Sequence, residues 1–268
     1  MLDERATALL NRQVAEGFYL LRLEAPRIAA AAEPGQFASL RVSDQVVPLL
    51  RIPLSFSAVD REGGAIELLY EARGPKSRLL SQVRDQQTLS CLGPLGVGFA
   101  PPAAGQRVVL VGGGIGLPPL LFLGARLRQQ GHQQVVLLAG ARNAAKHLPL
   151  ADLQAAVPQV RLATDDGSLG HGGLVTELLA EELEAAPGSM VCACGPHGMM
   201  AAVAGLCRRQ GAPCQVSLEE YMACGFGVCV GCVVEAADDG GAGPYGRYRR
   251  VCVDGPVFDA LQVRWEEG

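Results

Sequence analysis

The residues best placed to do chemistry are five of the nine cysteines, which fall within residues 212–268. Four of them form a pattern: Cys224-Gly225-Phe226-Gly227-Val228-Cys229-Val230-Gly231-Cys232, followed at a distance by Cys252. C-x4-C-x2-C with a remote fourth cysteine is the spacing of plant-type [2Fe–2S] sites. Four thiolates must reach two irons from one tight loop. Gly225, Gly227 and Gly231 let that backbone fold over the cluster and turn N–H groups toward its sulfurs. A zinc knuckle is the competing reading, but zinc favours two close cysteine pairs and only Cys229/Cys232 is one. Buried apolar cysteines are the other alternative, and this reading suits Cys91, Cys192, Cys207 and Cys214.

A second pattern is Gly112-Gly113-Gly114-Ile115-Gly116-Leu117-Pro118-Pro119, an apolar run turning through glycines into a helix start. Such a strand–glycine–helix junction cradles a pyrophosphate, because backbone amides at the turn face negative charge. Gly114-x-Gly116-x-x-Pro119 departs from G-x-G-x-x-G, and the proline suits a first helical turn. A tight structural turn remains the alternative. Cys194-Gly195-Pro196 sits at a later strand end, where ligands bind in open α/β sheets, although an ordinary turn would read the same way. His132, His147, His171 and His197 share no metal spacing, and no Ser/His/Asp set or carboxylate pair stands out.

These groups need elements to position them. Residues 1–100 predict short β segments at Gln36–Val42, Leu54–Val59, Ile66–Ala72 and Thr88–Leu92, the pattern of a small barrel or sandwich. Pro101-Pro102-Ala103-Ala104-Gly105 reads as a linker. From Arg107 strands and helices alternate. Strands are expected at Val108–Val111, Val135–Ala139, Val160–Ala163, Met190–Ala193 and Pro213–Val216. Helices are expected at Pro118–Arg128, Leu150–Val157, Leu174–Leu183 and Met199–Arg208. Alternation of this kind implies a parallel sheet with right-handed crossovers. The expected architecture is therefore an antiparallel β-barrel at 1–102, an α/β unit at 103–211 and a small cysteine-rich unit at 212–268.

Composition excludes several classes. Hydrophobic residues are 49% of the 268, which argues against disorder. A net charge of −4 supplies no basic field for nucleic acid or an anionic membrane. The uncharged run between Arg107 and Arg126 is near membrane-spanning length, but its glycines and Pro118-Pro119 would break such a helix. The acidic start, Met1-Leu2-Asp3-Glu4-Arg5, is unlike a signal peptide, so a cytoplasmic, reducing setting is expected and disulfides are not.

Taken together, the upstream β unit, Gly114-x-Gly116-x-x-Pro119 and Cys194-Gly195-Pro196 resemble the ferredoxin–NADP reductase superfamily. More particularly, Ser217-Leu218-Glu219-Glu220-Tyr221-Met222-Ala223-Cys224 with Arg250-Val251-Cys252-Val253-Asp254-Gly255-Pro256-Val257-Phe258 resembles the electron-transfer subunits of type B dihydroorotate dehydrogenases. Thr164-Asp165-Asp166-Gly167-Ser168 and Gly93-Pro94-Leu95-Gly96 fit as well. The resemblance covers essentially the whole chain.

It implies FAD on the first unit, NAD(H) on the second, and the cluster on Cys224, Cys229, Cys232 and Cys252. The family's flavin motif runs arginine, any residue or proline, an aromatic or aliphatic residue, then serine. Ile52-Pro53-Leu54-Ser55 matches with isoleucine at the arginine position, while Arg51 stands one residue earlier, which in a regular strand faces the other way. A bulge could restore it, so Arg51 is kept with Pro53, Leu54 and Ser55 as an expected flavin contact. Leu69 and Tyr70 match the next flavin segment. Gly74-Pro75-Lys76-Ser77 matches a glycine-rich turn with Lys76 in place of a glycine. Simple strand packing is the alternative for these barrel residues. The phosphate cradle would comprise Gly112, Gly114, Gly116, Pro119, Gly195 and Pro196, with Cys194 beside the nicotinamide, acting by placement. Arg142 and Lys146 follow the second strand, where a 2′-phosphate would sit, and the family suggests NADH.

The implied function is an electron relay in pyrimidine biosynthesis, coupled to an FMN-containing catalytic subunit that oxidises dihydroorotate, in a heterotetramer. Tyr221, Met222 and Phe226 are expected either at that interface or packed around the cluster. A reductase subunit serving ferredoxin, a sulfur species or an oxygenase is one alternative. A non-enzymatic iron–sulfur redox sensor is another.

Overall fold

The computed structural model describes residues 1–43, 45, 47–237 and 246–265. The first unit is a closed six-stranded antiparallel barrel, ordered β1-β2-β5-β4-β3-β6. Its strands are β1 (Leu2–Ala15), β2 (Phe18–Glu24), β3 (Phe37–Arg41), β4 (Ile52–Asp60), β5 (Ala65–Glu71) and β6 (Thr88–Leu95). Two short helices, α1 (Pro26–Ala31) and α2 (Pro75–Leu80), join them. The four expected strands are all present. The sequence reading left out the β1–β2 hairpin, and the reason is physical. The barrel-facing positions of β1 include the small Ala6 and Ala8, while Leu9 beside them is exposed, so its alternation carries little hydrophobic contrast. The barrel core is Leu21, Leu23, Leu40, Phe56, Ile66, Leu68, Tyr70 and their neighbours.

The second unit is a seven-stranded sheet, ordered β10-β9-β8-β7-β11-β12-β15. In chain order its elements are β7 (Val108–Gly113), α3 (Leu117–Gln129), β8 (Val135–Ala141), α4 (Leu150–Ala156), β9 (Gln159–Thr164), β10 (His171–Gly172), α5 (Val175–Ala185), β11 (Met190–Cys194), α6 (His197–Gln210) and β12 (Cys214–Ser217). The chain first builds outward from β7 through β8 and β9, then returns to lay β11 on the other side of β7. That reversal between β7 and β11 is the crevice where open α/β sheets bind ligands.

The last segment contributes β13 (Val233–Glu235), β14 (Tyr248–Arg250) and β15 (Val257–Asp259). β13 and β14 form a separate antiparallel pair, whereas β15 adds antiparallel to β12 at the edge of the large sheet. The third unit was expected from residue 212. The strand expected at Pro213–Val216 is β12, which lies past that position and pairs parallel with β11, and Val257–Asp259 comes back to cover it.

The units share their cores. Phe122 of α3 packs into the barrel cluster, while Leu120, Leu123 and Leu127 of the same helix bury against the sheet. Each such side chain contributes about 1.5–3 kcal/mol on burial. On the other face, Phe37 and Leu95 of the barrel join Val109, Val191, Val216, Cys232, Val251, Cys252 and Phe258 in one cluster. The cysteine loop is thus wedged between barrel and sheet. Among the described residues no helix is long and apolar enough to cross a membrane.

Candidate functional site

The four motif cysteines converge. Cys224 Sγ accepts from the amides of Phe226 and Cys229, each at 3.5 Å, and its thiol lies against that of Cys229. The Cys252 amide donates to Cys232 Sγ at 3.4 Å, and those two thiols also meet. The sulfurs form two pairs, Cys224 with Cys229 and Cys232 with Cys252, the arrangement two irons require, so the donor set fits a [2Fe–2S] group. Burial pushes the Cys224 thiol up, but the amides of Cys229 and Phe226 outweigh it and bring it down to about 6. Burial and the Cys232 contact instead push Cys252 up to about 12.

The loop's curvature is built in. Gly225 and Gly227 adopt φ of +81° and +90°, and a Cβ on Gly227 would lie 2.6 Å from Val253 Cγ2. Asp254 accepts from the Arg250 amide at 2.7 Å, and Arg250 Nη1 donates to the Gly227 carbonyl at 3.3 Å, which ties the loop to the β14 end. Gly225 faces the barrel: its Cβ position lies 3.7 Å from Ser39 Oγ and Leu95 Cδ1 and 3.8 Å from Phe37 Cε2. Phe37 is paired across the sheet with Ser55 of β4. One strand therefore separates the cysteine loop from the serine of the expected flavin motif.

Between β7 and β11 lies a cavity of about 640 Å³. Its walls include Gly113–Gly116, Gly195, Pro196 and Met199, with Phe18, Glu71 and Arg73 contributed by the barrel. Gly114 takes φ +53° with nothing within 4 Å of its Cβ position, so that backbone stands open toward ligand. Gly116 packs on the Cys194 carbonyl, leaving no room for any side chain. Gly112 and Pro119 do not line the cavity; they are buried behind it and shape the turn.

Cys194, expected beside the nicotinamide, lies in the core next to the cavity wall. It is 2% exposed, packs in the core with Leu110 and Leu120, and makes a side-chain hydrogen bond with Ser217. Burial, then the Glu219 carboxyl, push its thiol far above the ordinary range, so it stays neutral; Glu219 lines the cavity and Cys194 lies behind that lining. Asp165 and Glu219, which the sequence reading places in family-matching segments without a site role, do line the cavity. Asp165 directly follows β9, and position just past a parallel strand's carboxyl end was the available signal. Lys146 reaches the cavity but is held by Glu71 at 3.5 Å and the Glu16 carbonyl at 3.0 Å. Arg142 is exposed there, without an ion-pair partner among the described residues.

On the barrel, Ile52, Pro53, Leu54 and Ser55 are half-buried, and the Ser55 hydroxyl has no partner among the described residues. That open strand face and unpartnered hydroxyl fit a flavin ring edge. Tyr70 does not join it. It is 1% exposed in the barrel core and stacked on Tyr19, and its hydroxyl donates to Asn11 Oδ1 at 2.9 Å. Leu69 is 5% exposed and packs toward the nucleotide unit. Ser77 Oγ accepts from the Gly74 amide at 3.0 Å and closes its own turn. Arg51 faces away from the Ile52–Ser55 motif's expected use, with its guanidinium on Ser39 and Ser90. Tyr221 is 96% and Phe226 43% exposed, whereas Met222 packs on the shared core.

Residues 219–264 match the model for the iron–sulfur cluster binding domain of dihydroorotate dehydrogenase B. Residues 110–205 match the oxidoreductase NAD-binding domain. The chain is 40% identical over 262 residues to the dihydroorotate dehydrogenase B (NAD(+)) electron transfer subunit of Geobacillus thermodenitrificans, covering 97% of this chain and 98% of that one. It is 38% identical over 261 residues to the counterpart from Desulforamulus reducens, with the same coverage. Among solved structures it is similar to an NADH-dependent reduced ferredoxin-NADP oxidoreductase, at a TM-score of 0.84 and 26% identity, covering 98% of this chain and 91% of that one. A ferredoxin NADP+ reductase from Neisseria gonorrhoeae with bound FAD and NADP shares the fold, at a TM-score of 0.63 and 19% identity, covering 78% of this chain and 92% of that one. Paired cysteine sulfurs, a glycine-walled cavity at the sheet reversal and full-length kinship converge: the chain belongs to the family of dihydroorotate dehydrogenase B electron-transfer subunits.

Proposed function

We propose that this chain carries electrons between NAD(H), FAD and a [2Fe–2S] cluster, and exchanges them with a catalytic subunit that converts dihydroorotate to orotate. The observation that carries this reading is the layering of the molecule. The cysteine loop lies on β3, β3 pairs with β4, and the nucleotide cavity is walled by both barrel and sheet. When bound, FAD supplies the exchange between the hydride chemistry of a nicotinamide and the single electrons of a cluster.

The chain's own residues orient and enclose. Gly114 and its neighbours offer backbone amides to a dinucleotide's phosphates, while Gly195 and Pro196 form the facing wall. Pro53, Leu54 and Ser55 present a strand edge to the flavin ring. Cys224 and Cys229 hold one iron, Cys232 and Cys252 the other. Cys194 supports the cavity floor from behind. NADH is the favoured nucleotide, since Lys146 is already engaged and Asp165 adds negative charge where a further phosphate would be repelled.

The fuller form of this reading places residues 1–102, 103–211 and 212–268 as flavin, nicotinamide and cluster units. It also places an FMN-containing catalytic partner in a cytoplasmic heterotetramer. Tyr221, Phe226, Val228 and Val230 are exposed around the cysteine loop and offer that partner an apolar surface. Phe226, being next to the ligands, serves both roles. The likeness to the NADH-dependent ferredoxin-NADP oxidoreductase favours a second reading, in which the same carriers serve another acceptor.

The test is reconstitution. Alone, the chain should oxidise NADH with dye acceptors and make no orotate. Mixed with the catalytic subunit it should support NAD+-dependent orotate formation, and C232S should abolish this while the partner's flavin remains reducible by dihydroorotate. Orotate from the isolated chain, or full NAD+-linked activity in C232S, would show the relay assignment to be wrong. No coupling to the catalytic subunit would favour the second reading.

A further inference from the structure

The barrel presents an exchange of cations. Isoleucine occupies position 52, where the resemblance places an arginine, and the neighbouring Arg51 does not substitute for it. The Arg51 guanidinium donates to the Ser39 carbonyl at 3.2 Å, the Ser90 carbonyl at 3.0 Å and Ser90 Oγ at 2.8 Å. Three bonds hold it on β3 and β6. Meanwhile Lys76, at a position where the resemblance places glycine, reaches across from α2 to the head of β4. Its Nζ donates to the Arg51 carbonyl at 2.8 Å. The ammonium therefore sits on the peptide that joins Arg51 to Ile52.

Lys76 is half-buried, and among the described residues its ammonium meets the Arg51 carbonyl and no carboxylate. An ammonium has three donors, and one is accounted for. Burial lowers its pKa, which records the cost of holding that charge away from water without a counter-ion. Gly74, two residues before it, has nothing within 4 Å of its Cβ position, so the space beside this turn is open. Ser77 fixes the turn with its own hydroxyl, leaving Lys76 free to project toward β4.

We propose that Lys76 is the cation that binds the diphosphate of FAD in this chain, supplied from α2 in place of an arginine on β4. The inference rests on the FAD reading above and identifies the group that secures the cofactor. A lysine is a point charge without a guanidinium's bidentate geometry, so it holds the diphosphate mainly by Coulomb attraction. Retention should therefore be salt-sensitive.

The experiment is dilution of the flavin-loaded chain, with released FAD read by its fluorescence, for wild type, K76M and K76R at low and high NaCl. Loss of one charge-assisted contact should raise the Kd for FAD by about tenfold or more in K76M, with K76R close to wild type. The salt dependence of Kd should be shallower in K76M than in wild type. Unfolding midpoints at saturating FAD check that the variants are folded; should K76M fail to fold, K76Q takes its place. Equal FAD retention and equal salt dependence in wild type and K76M would overturn the assignment of Lys76 while leaving the FAD reading intact. So would a K76R variant that loses FAD as K76M does. A folded wild-type chain that retains no FAD would instead overturn the FAD reading itself.

Discussion

Replacing Gly116 by alanine tests whether the nucleotide cavity depends on contact between its two walls. A Cβ at this position would lie 2.3 Å from the Cys194 carbonyl oxygen, 2.4 Å from its carbon and 2.5 Å from the Gly195 amide. All three are backbone atoms of the opposite wall, so no side chain can rotate away. Restoring ordinary carbon contacts of about 3.5 Å requires the 114–116 turn to move by roughly 1 Å. That displacement carries phosphate-facing amides out of hydrogen-bond range, since a bond of about 2.9 Å does not survive a stretch of that size. Loss of one such contact to a charged group predicts an NADH affinity about tenfold weaker, and loss of two about a hundredfold. Overpacking also predicts a stability loss of about 1–3 kcal/mol. The assays are the KM for NADH in dye reduction, a direct NADH titration, and urea unfolding. Gly205 in α6 is the control. Its Cβ would meet only Arg209 Nη1 at 3.5 Å, so G205A should stabilise the helix by about 0.5–1 kcal/mol and leave NADH binding alone. A G116A chain with wild-type NADH affinity and wild-type stability would refute the reasoning.

Three further perturbations address the other sites. Y70F removes the donor to Asn11, whose amide is committed to the Leu80 and Val83 carbonyls; it should cost about 1–3 kcal/mol in urea unfolding without loss of bound flavin, and flavin loss would return Tyr70 to the cofactor site. Glu182 has its carboxyl raised by burial but lowered more by Arg107 and Arg161, so its folded pKa is depressed. Its contribution is therefore complete above the unfolded value of about 4.3 and is lost as pH falls through the lower folded one. E182Q should cost about 2 kcal/mol at neutral pH, with the gap closing in acid, and a pH-independent gap would count against the ion-pair account. C229S should remove the visible absorbance of a preparation that otherwise holds about two irons per chain, and stoichiometric zinc in iron-replete protein would sink the cluster assignment.

The cysteine spacing and the glycine junctions are local signals, and they were legible because each encodes a loop shape directly. C-x4-C-x2-C fixes how close three sulfurs can come, and a positive φ at Gly114 or Gly225 is available to few other residues. The alternating elements of the sheet were legible for a related reason: buried parallel strands such as Val108–Val111 are apolar on both faces. Side-chain direction was not legible. Cys194 and Gly195 are adjacent in sequence, yet one is packed in the core and the other lines the cavity. Tyr70 turns into a barrel whose closure depends on β1 pairing with β6, a contact between residues far apart in the chain. The pairing of Cys232 with Cys252 and the seating of Gly225 on β3 arise from packing of the last segment between barrel and sheet. The residues by themselves determined which chemistry the chain can hold. Only the tertiary structure decided which side chains face it, because burial and partner choice are properties of surfaces that meet after folding.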